Sequence, residues 1–165
     1  MNIRKWMILT ILSLVMVSGC SSSEQQLQTK LSKHSIHKDV PSTIVEQDRH
    51  IEMHADKAAY SSAKEEVTIE IKNNGTATFN FGLPYTVEKR EQGTWYEIPF
   101  RSDIAFAEIG LVLAPNQTHE QKINWGDFDY VISPGEYRVI KSFYADGNER
   151  ILASYFTIEE PNGNK

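Results

Sequence analysis

One cysteine, six prolines and no sustained helical pattern in 165 residues set the first limits. A lone cysteine cannot pair within its own chain, so no internal disulfide frames this protein. The longest apolar run, Trp6 to Val17, is broken by Thr10 and Ser13, which leaves it well short of the roughly 20 apolar residues of a spanning helix. Basic stripes are missing too: 17 basic residues face 22 acidic ones, a net charge of −5, which argues against a nucleic-acid partner. Neither a G-x-S-x-G elbow, an H-E-x-x-H pair nor a phosphate loop occurs, so no catalytic residue is assigned and no enzyme activity, metal or cofactor is expected.

What is present begins with the placement of that cysteine. Arg4 and Lys5 precede the apolar run, and small residues follow it, the layout of a secretory signal. Val17-Ser18-Gly19-Cys20 resembles the lipobox of bacterial lipoproteins. The resemblance implies cleavage between Gly19 and Cys20, acylation of the Cys20 thiol with palmitate-type chains, and attachment to the extracytoplasmic face of the cell membrane. Acyl chains contribute about 0.8 kcal/mol per buried methylene, and two hold far more firmly than one. An ordinary signal peptide with an incidental cysteine is the plainer alternative.

With residues 1–19 removed, 15 basic residues remain against 22 acidic ones, a net charge of −7. Anionic lipid repels such a chain on average, so the membrane contact falls to the lipid anchor. Residues 20–48 contain no aromatic residue and few large apolar ones. This composition reads as a flexible polar tether, whose random-coil dimensions would hold a domain on the order of 30 Å from the membrane.

Residues 49–160 read as one all-β domain, with 161–165 as a disordered tail. Val67, Ile69 and Ile71 alternate with Thr68, Glu70 and Lys72, the pattern of a half-buried strand. Asn73-Asn74-Gly75 then predicts a hairpin into a strand carrying Phe79 and Phe81. A second hairpin is predicted from Tyr85 through the Gln92-Gly93 turn to Trp95–Ile98. Further strands fit 110–114, 120–125, 135–144 and 150–159, separated by turn signals at Pro115-Asn116, Pro134-Gly135 and Asp146-Gly147. Turn signals at this spacing predict an antiparallel β-sandwich. Tyr137, just after Pro-Gly, stands where a tyrosine corner would pin the preceding loop.

"TVEKREQGTWYEIPFRSDIAF", "LAPNQTHEQKINW" and "PGEYRVIKSF" resemble the bacterial Ig-like domain of small lipoproteins of the Bacillus type. The resemblance covers about residues 51–160. It implies an immunoglobulin-like sandwich and brings no catalytic residues with it.

The function expected is therefore that of an anchored interaction module with a protein partner. Candidate contact residues are Arg101, Asp103 and Phe106 in the loop 100–109, Trp125 in "NWGDFDY", and Tyr155 on a final strand with apolar residues on both faces. Two other readings compete. A proteinase inhibitor would use the loop 100–109; a metal or small-ligand carrier would use His34, His37, His50 and His54. The second is weak, because His50 and His54 on one strand stand about 13 Å apart. Asp127 and Asp129 are too few for a calcium site.

Overall fold

The structure, a computed structural model, describes residues 27–160. The expected signal peptide 1–19, the expected cleavage site at Gly19, the expected acylation site Cys20 and the expected tail 161–165 lie outside the described residues. Eleven strands follow in order: β1 (Thr43–Glu46), β2 (Arg49–Ala55), β3 (Ala59–Tyr60), β4 (Val67–Asn73), β5 (Phe79–Gly82), β6 (Thr86–Glu91), β7 (Thr94–Glu97), β8 (Gly110–Leu113), β9 (Thr118–Ile123), β10 (Gly135–Ala145) and β11 (Asn148–Ile158). A 3₁₀ turn at Trp125–Asp127 interrupts them.

The strands form two sheets, in keeping with the sandwich expected from the alternation. One has the order β1-β2-β4-β9. The other runs β3-β11-β10-β5-β8, and β10 also pairs with β6, which carries β7 at its far side. All pairings are antiparallel except the two-residue β3 on β11. Ile51, Met53, Val67, Ile69 and Ile71 of the smaller sheet face Phe79, Val87, Val139, Phe143 and Leu152 of the larger, all fully buried. The period-two pattern of β4 is what puts its three aliphatic residues on that inner face.

Two hairpins follow the turn chemistry. Gln92-Gly93 (φ 50° and 83°) closes β6 on β7, and Asp146-Gly147 (φ 50° and 75°) closes β10 on β11. Two residues with positive φ match the right-handed twist of the flanking strands. The hairpin expected at Asn73-Gly75 does not form. Strand β4 is already paired on both sides, by β2 and β9, and the chain crosses instead to the other sheet, where β5 pairs with β10 and β8. The crossing is held by the β1–β2 turn: the Asn74 and Gly75 amides donate to His50 O, and those of Thr76 and Ala77 to Asp48 O. A Cβ on Gly75 would lie 2.4 Å from Asp48 O, so glycine is required there for close backbone approach.

The tyrosine corner is present. The Tyr137 hydroxyl donates to Ser133 O and accepts from the Ser133 amide at 3.2 Å, and burial raises the pKa of this phenol. Around it the end of the sandwich is filled by aromatic rings: Tyr137 stacks on Phe156, and Trp125 meets both edge-on or tilted.

The reading of residues 20–48 as a free tether requires correction over its described part. Val131 N donates to Gln28 O, Leu31 is buried in the core, residues 33–35 pair with β7, and Val40 is buried against Ile140 and Ala153. Residues 43–46 are strand β1. The folded part thus begins well before residue 49, because a few isolated apolar residues and main-chain pairing suffice to seat a polar segment on a preformed sheet.

Where β10 passes from its pairing with β6 to its pairing with β5, the inward-facing Lys141 fills the gap. Its ammonium donates to Leu83 O and Pro84 O, each at 3.1 Å, and no carboxylate lies within 4 Å among the described residues. Burial without a counter-charge lowers its pKa to about 8 from 10.5. Between those values the unfolded chain binds more protons than the folded one, so stability rises with pH across that window.

Two outcomes are expected. Urea unfolding at a series of pH values gives a stability difference between wild type and Lys141→Met that is flat below about pH 7 and grows in favour of wild type towards pH 10, by up to about 3 kcal/mol; parallel profiles would contradict the assignment. Tyr137→Phe leaves the Ser133 amide and carbonyl without their partner and lowers stability by about 1–3 kcal/mol in the same assay.

Candidate interaction surface

The outer face of the larger sheet carries a cross-strand row of polar residues. Register places Glu88 of β6, Arg138 of β10 and Tyr155 of β11 side by side. Such a row on an outer face reads in sequence as solvated. In the structure Arg138 is 0% and Glu88 2% exposed, because residues 33–41 lie across them as a strap.

The strap starts at one edge of the sheet. The Ser35 amide donates to Trp95 O and the Glu97 amide to Lys33 O, both at 2.9 Å, with His34 bridged antiparallel to Tyr96. It then crosses the face and reaches the opposite edge, where the Ala153 amide donates to Pro41 O at 2.9 Å and the Ser42 hydroxyl donates to Ala153 O at 2.7 Å. From there it enters the smaller sheet as β1, and Glu46 accepts two bonds from Arg150 of β11. That contact lowers the Glu46 carboxyl pKa.

Arg138 is the fastening. Guanidinium has five N–H donors, and five acceptors meet them: Nε donates to Glu88 Oε2 at 2.7 Å, Nη1 to Lys38 O at 2.9 Å and Tyr155 Oη at 3.4 Å, and Nη2 to His37 O at 2.8 Å and Ser35 Oγ at 3.2 Å. The Trp95 ring lies 4.4 Å from the guanidinium carbon. A buried charge is tolerable only when its hydrogen bonds are completed in this way.

The candidates from the sequence fall in three places. Tyr155 belongs to this surface: it is 41% exposed, its hydroxyl donates to Val40 O at 2.7 Å, and its ring meets Trp95 edge-on. The outer face of the last strand is therefore covered largely by the chain's own strap. Arg101 and Asp103 pair with each other through two bonds of 3.1 Å, which lowers the Asp103 pKa, while Phe106 of the same loop packs on Tyr85 and Phe100. Trp125 is half-buried and lines a surface depression with Ala63, Glu66 and Lys122. It sits against Phe128, Tyr137 and Phe156 at the sandwich end, and its indole N–H is buried without an acceptor among the described residues.

Of the histidines, His34 lies against the Tyr96 ring, and His54 faces Glu52 at 3.8 Å. No three His, Cys, Asp or Glu side chains converge as a metal site requires among the described residues. Asp127 accepts from Asn124 at 2.7 Å within its own turn, whereas Asp129 accepts from the distant Gln28 side chain at 2.9 Å and helps seat the N-terminal segment.

Sequence reasoning missed Glu88, Trp95 and Arg138. Their only sequence signal is opposite charge at positions 88 and 138 on two predicted strands, which is ordinary for a solvated face.

Two face-to-face sheets, a chain that switches between them at Asn73–Ala77, and a tyrosine corner define the class: an immunoglobulin-like β-sandwich. The family model of the bacterial Ig-like domain matches residues 47–157, and the chain belongs to that family. No curated protein is significantly similar to it. The strap, residues 33–41, precedes the matched residues.

The pairing of Arg138 with Glu88 generates a clear expectation. Arg138→Met strands a buried carboxylate and lowers stability by about 3–5 kcal/mol. Adding Glu88→Met to the same chain recovers most of that loss, measured as the midpoint of urea unfolding. A double variant as unstable as the single one would contradict the account.

Proposed function

We propose that this protein is a lipid-anchored, extracytoplasmic Ig-like module that works by docking a protein partner and performs no catalysis. The observation that carries the reading is the seating of Gln28, close in sequence to Cys20, on the sandwich. An acylated Cys20 would stand only eight residues before Gln28, whose carbonyl and side chain are bonded to Val131 and Asp129. Eight residues reach at most about 29 Å. A tether of residues 20–48 would give that distance as an average, whereas the seating of Gln28 on Val131 and Asp129 would make it a ceiling and turn the end carrying Pro99, Asp129 and Val131 towards the membrane.

The fold supports the docking part of the reading, since Ig-like sandwiches present strand edges and end loops on a rigid frame. The proteinase-inhibitor reading gains nothing from the geometry. Its loop is pinned at Phe100 and Phe106 by contact with Tyr85 and closed by the internal Arg101–Asp103 pair.

The test is membrane fractionation of cells expressing the wild type or Cys20→Ala, followed by crosslinking and mass spectrometry of the captured proteins. Wild type is expected in the membrane fraction with one dominant crosslinked partner, and Cys20→Ala in the soluble fraction. Identical fractionation of the two chains would overturn the anchor; an absence of any reproducible partner would overturn the docking.

A further inference from the structure

The strap does not fill the groove it occupies. On the two sides of Trp95 lie depressions of about 380 and 410 Å³, both bordered by Lys38, Asp39 and Arg90; the first also touches Tyr155, Phe156 and Thr157. Lys38 and Asp39 are themselves exposed, so charged side chains stand at the mouth of an aromatic hollow and leave it open. Between its two anchored ends the strap turns the Ile36 side chain outward, 87% exposed.

The contacts that do hold it run largely through the main chain, beside a Lys33–Glu97 ion pair at 2.7 Å and the His34 ring against Tyr96. Arg138 reads the carbonyls of His37 and Lys38, and the β7 edge reads the main chain of Lys33 and Ser35. Only the Ser35 hydroxyl adds a side-chain contact to Arg138. Leu31 and Val40 are the two buried apolar anchors from residue 27 to residue 40. Main-chain pairing at a sheet edge, with hollows for alternate side chains, is how sheets take up extended peptides. A segment with few buried apolar contacts belongs to the low-stability end of a structure.

We propose that this groove is a binding site for an extended peptide, that residues 33–40 are its exchangeable occupant in cis, and that a strand from a partner protein takes their place. The partner strand runs antiparallel to β7, offers two successive carbonyls to Arg138, carries a small hydroxyl residue where Ser35 stands, and places a large aromatic or aliphatic side chain in the hollow beside Trp95 and Tyr155. This deepens the docking reading above and rests on it, naming the surface and the chemistry of the partner.

The test uses the full chain in detergent with Cys20→Ala, so that acylation has no part in the result and a failed anchor would leave it unaffected. The probes are a fluorescent peptide with the sequence of residues 30–42 and the same peptide with Lys38→Trp. Ser35→Pro in the protein removes the amide that bonds to Trp95 O and the hydroxyl that meets Arg138, and so opens the groove. The Ser35→Pro chain is expected to bind the first peptide at least tenfold more tightly than the unsubstituted chain, and the Lys38→Trp peptide more tightly still. Equal affinities for the two chains, or no binding to either, would overturn the proposal.

Should Ser35→Pro fail to fold, amide exchange on the unsubstituted chain decides the matter. The Ser35 and Glu97 amides are expected to exchange at least a hundredfold faster than those at the centre of β10 and β11. Equal protection would make the strap a fixed part of the core and contradict exchange.

Discussion

A single buried guanidinium organises the outer face of this domain. Arg138 faces away from the sandwich core, where an arginine on an ordinary exposed sheet would reach water, yet all five of its donors are met within the protein. Glu88 balances its charge, and the strap supplies three of the five acceptors. Each element therefore depends on the other. Without the strap the ion pair is an unremarkable surface contact worth little; with it the pair is desolvated, and removal of either partner is costly. The same crossing covers the β7 edge, which would otherwise present unpaired main-chain groups to other chains.

Behind that face the sandwich is held by more conventional means. Aliphatic rows from both sheets fill its middle, and one end is closed by the rings of Tyr85, Phe100, Phe106, Trp125, Phe128, Tyr137 and Phe156. Two lysines enter the interior. Lys89 reaches the Ser133 hydroxyl at 2.6 Å and Glu91 at 3.6 Å, whereas Lys141 has only carbonyl oxygens, which suits it to the place where one strand changes partners. No disulfide is available to the domain, so the Tyr137 corner and the Gly75 crossing carry the job of fixing the connections between sheets.

The fold was legible wherever a pattern belonged to a single element. Alternation in β4 marked its buried face, and Gln92-Gly93 and Asp146-Gly147 marked true hairpins. It was not legible where pairing depended on distant strands. Asn73-Gly75 has hairpin chemistry, but β2 and β9 occupy both edges of β4, so the chain had to cross. The strap was the larger miss. Leu31 and Val40 are two apolar residues in a polar segment, and the bonds that seat it are made by its main chain, which has no residue signature. For the same reason Tyr155 was recognisable as unusual on an outer face, while Arg138 beside it was indistinguishable from a solvated charge.

The central claim is that residues 33–41 lie across the sheet instead of forming a free tether. Double spin labelling tests it directly, with nitroxides at Ile36→Cys and Glu149→Cys in a Cys20→Ala chain, both sites being exposed. Pulsed dipolar measurement is expected to give one narrow distance distribution, centred on the separation of the seated strap and unchanged between low and high salt. A broad distribution centred at longer distance, as a random coil would produce, would contradict the account and return these residues to the role of a tether.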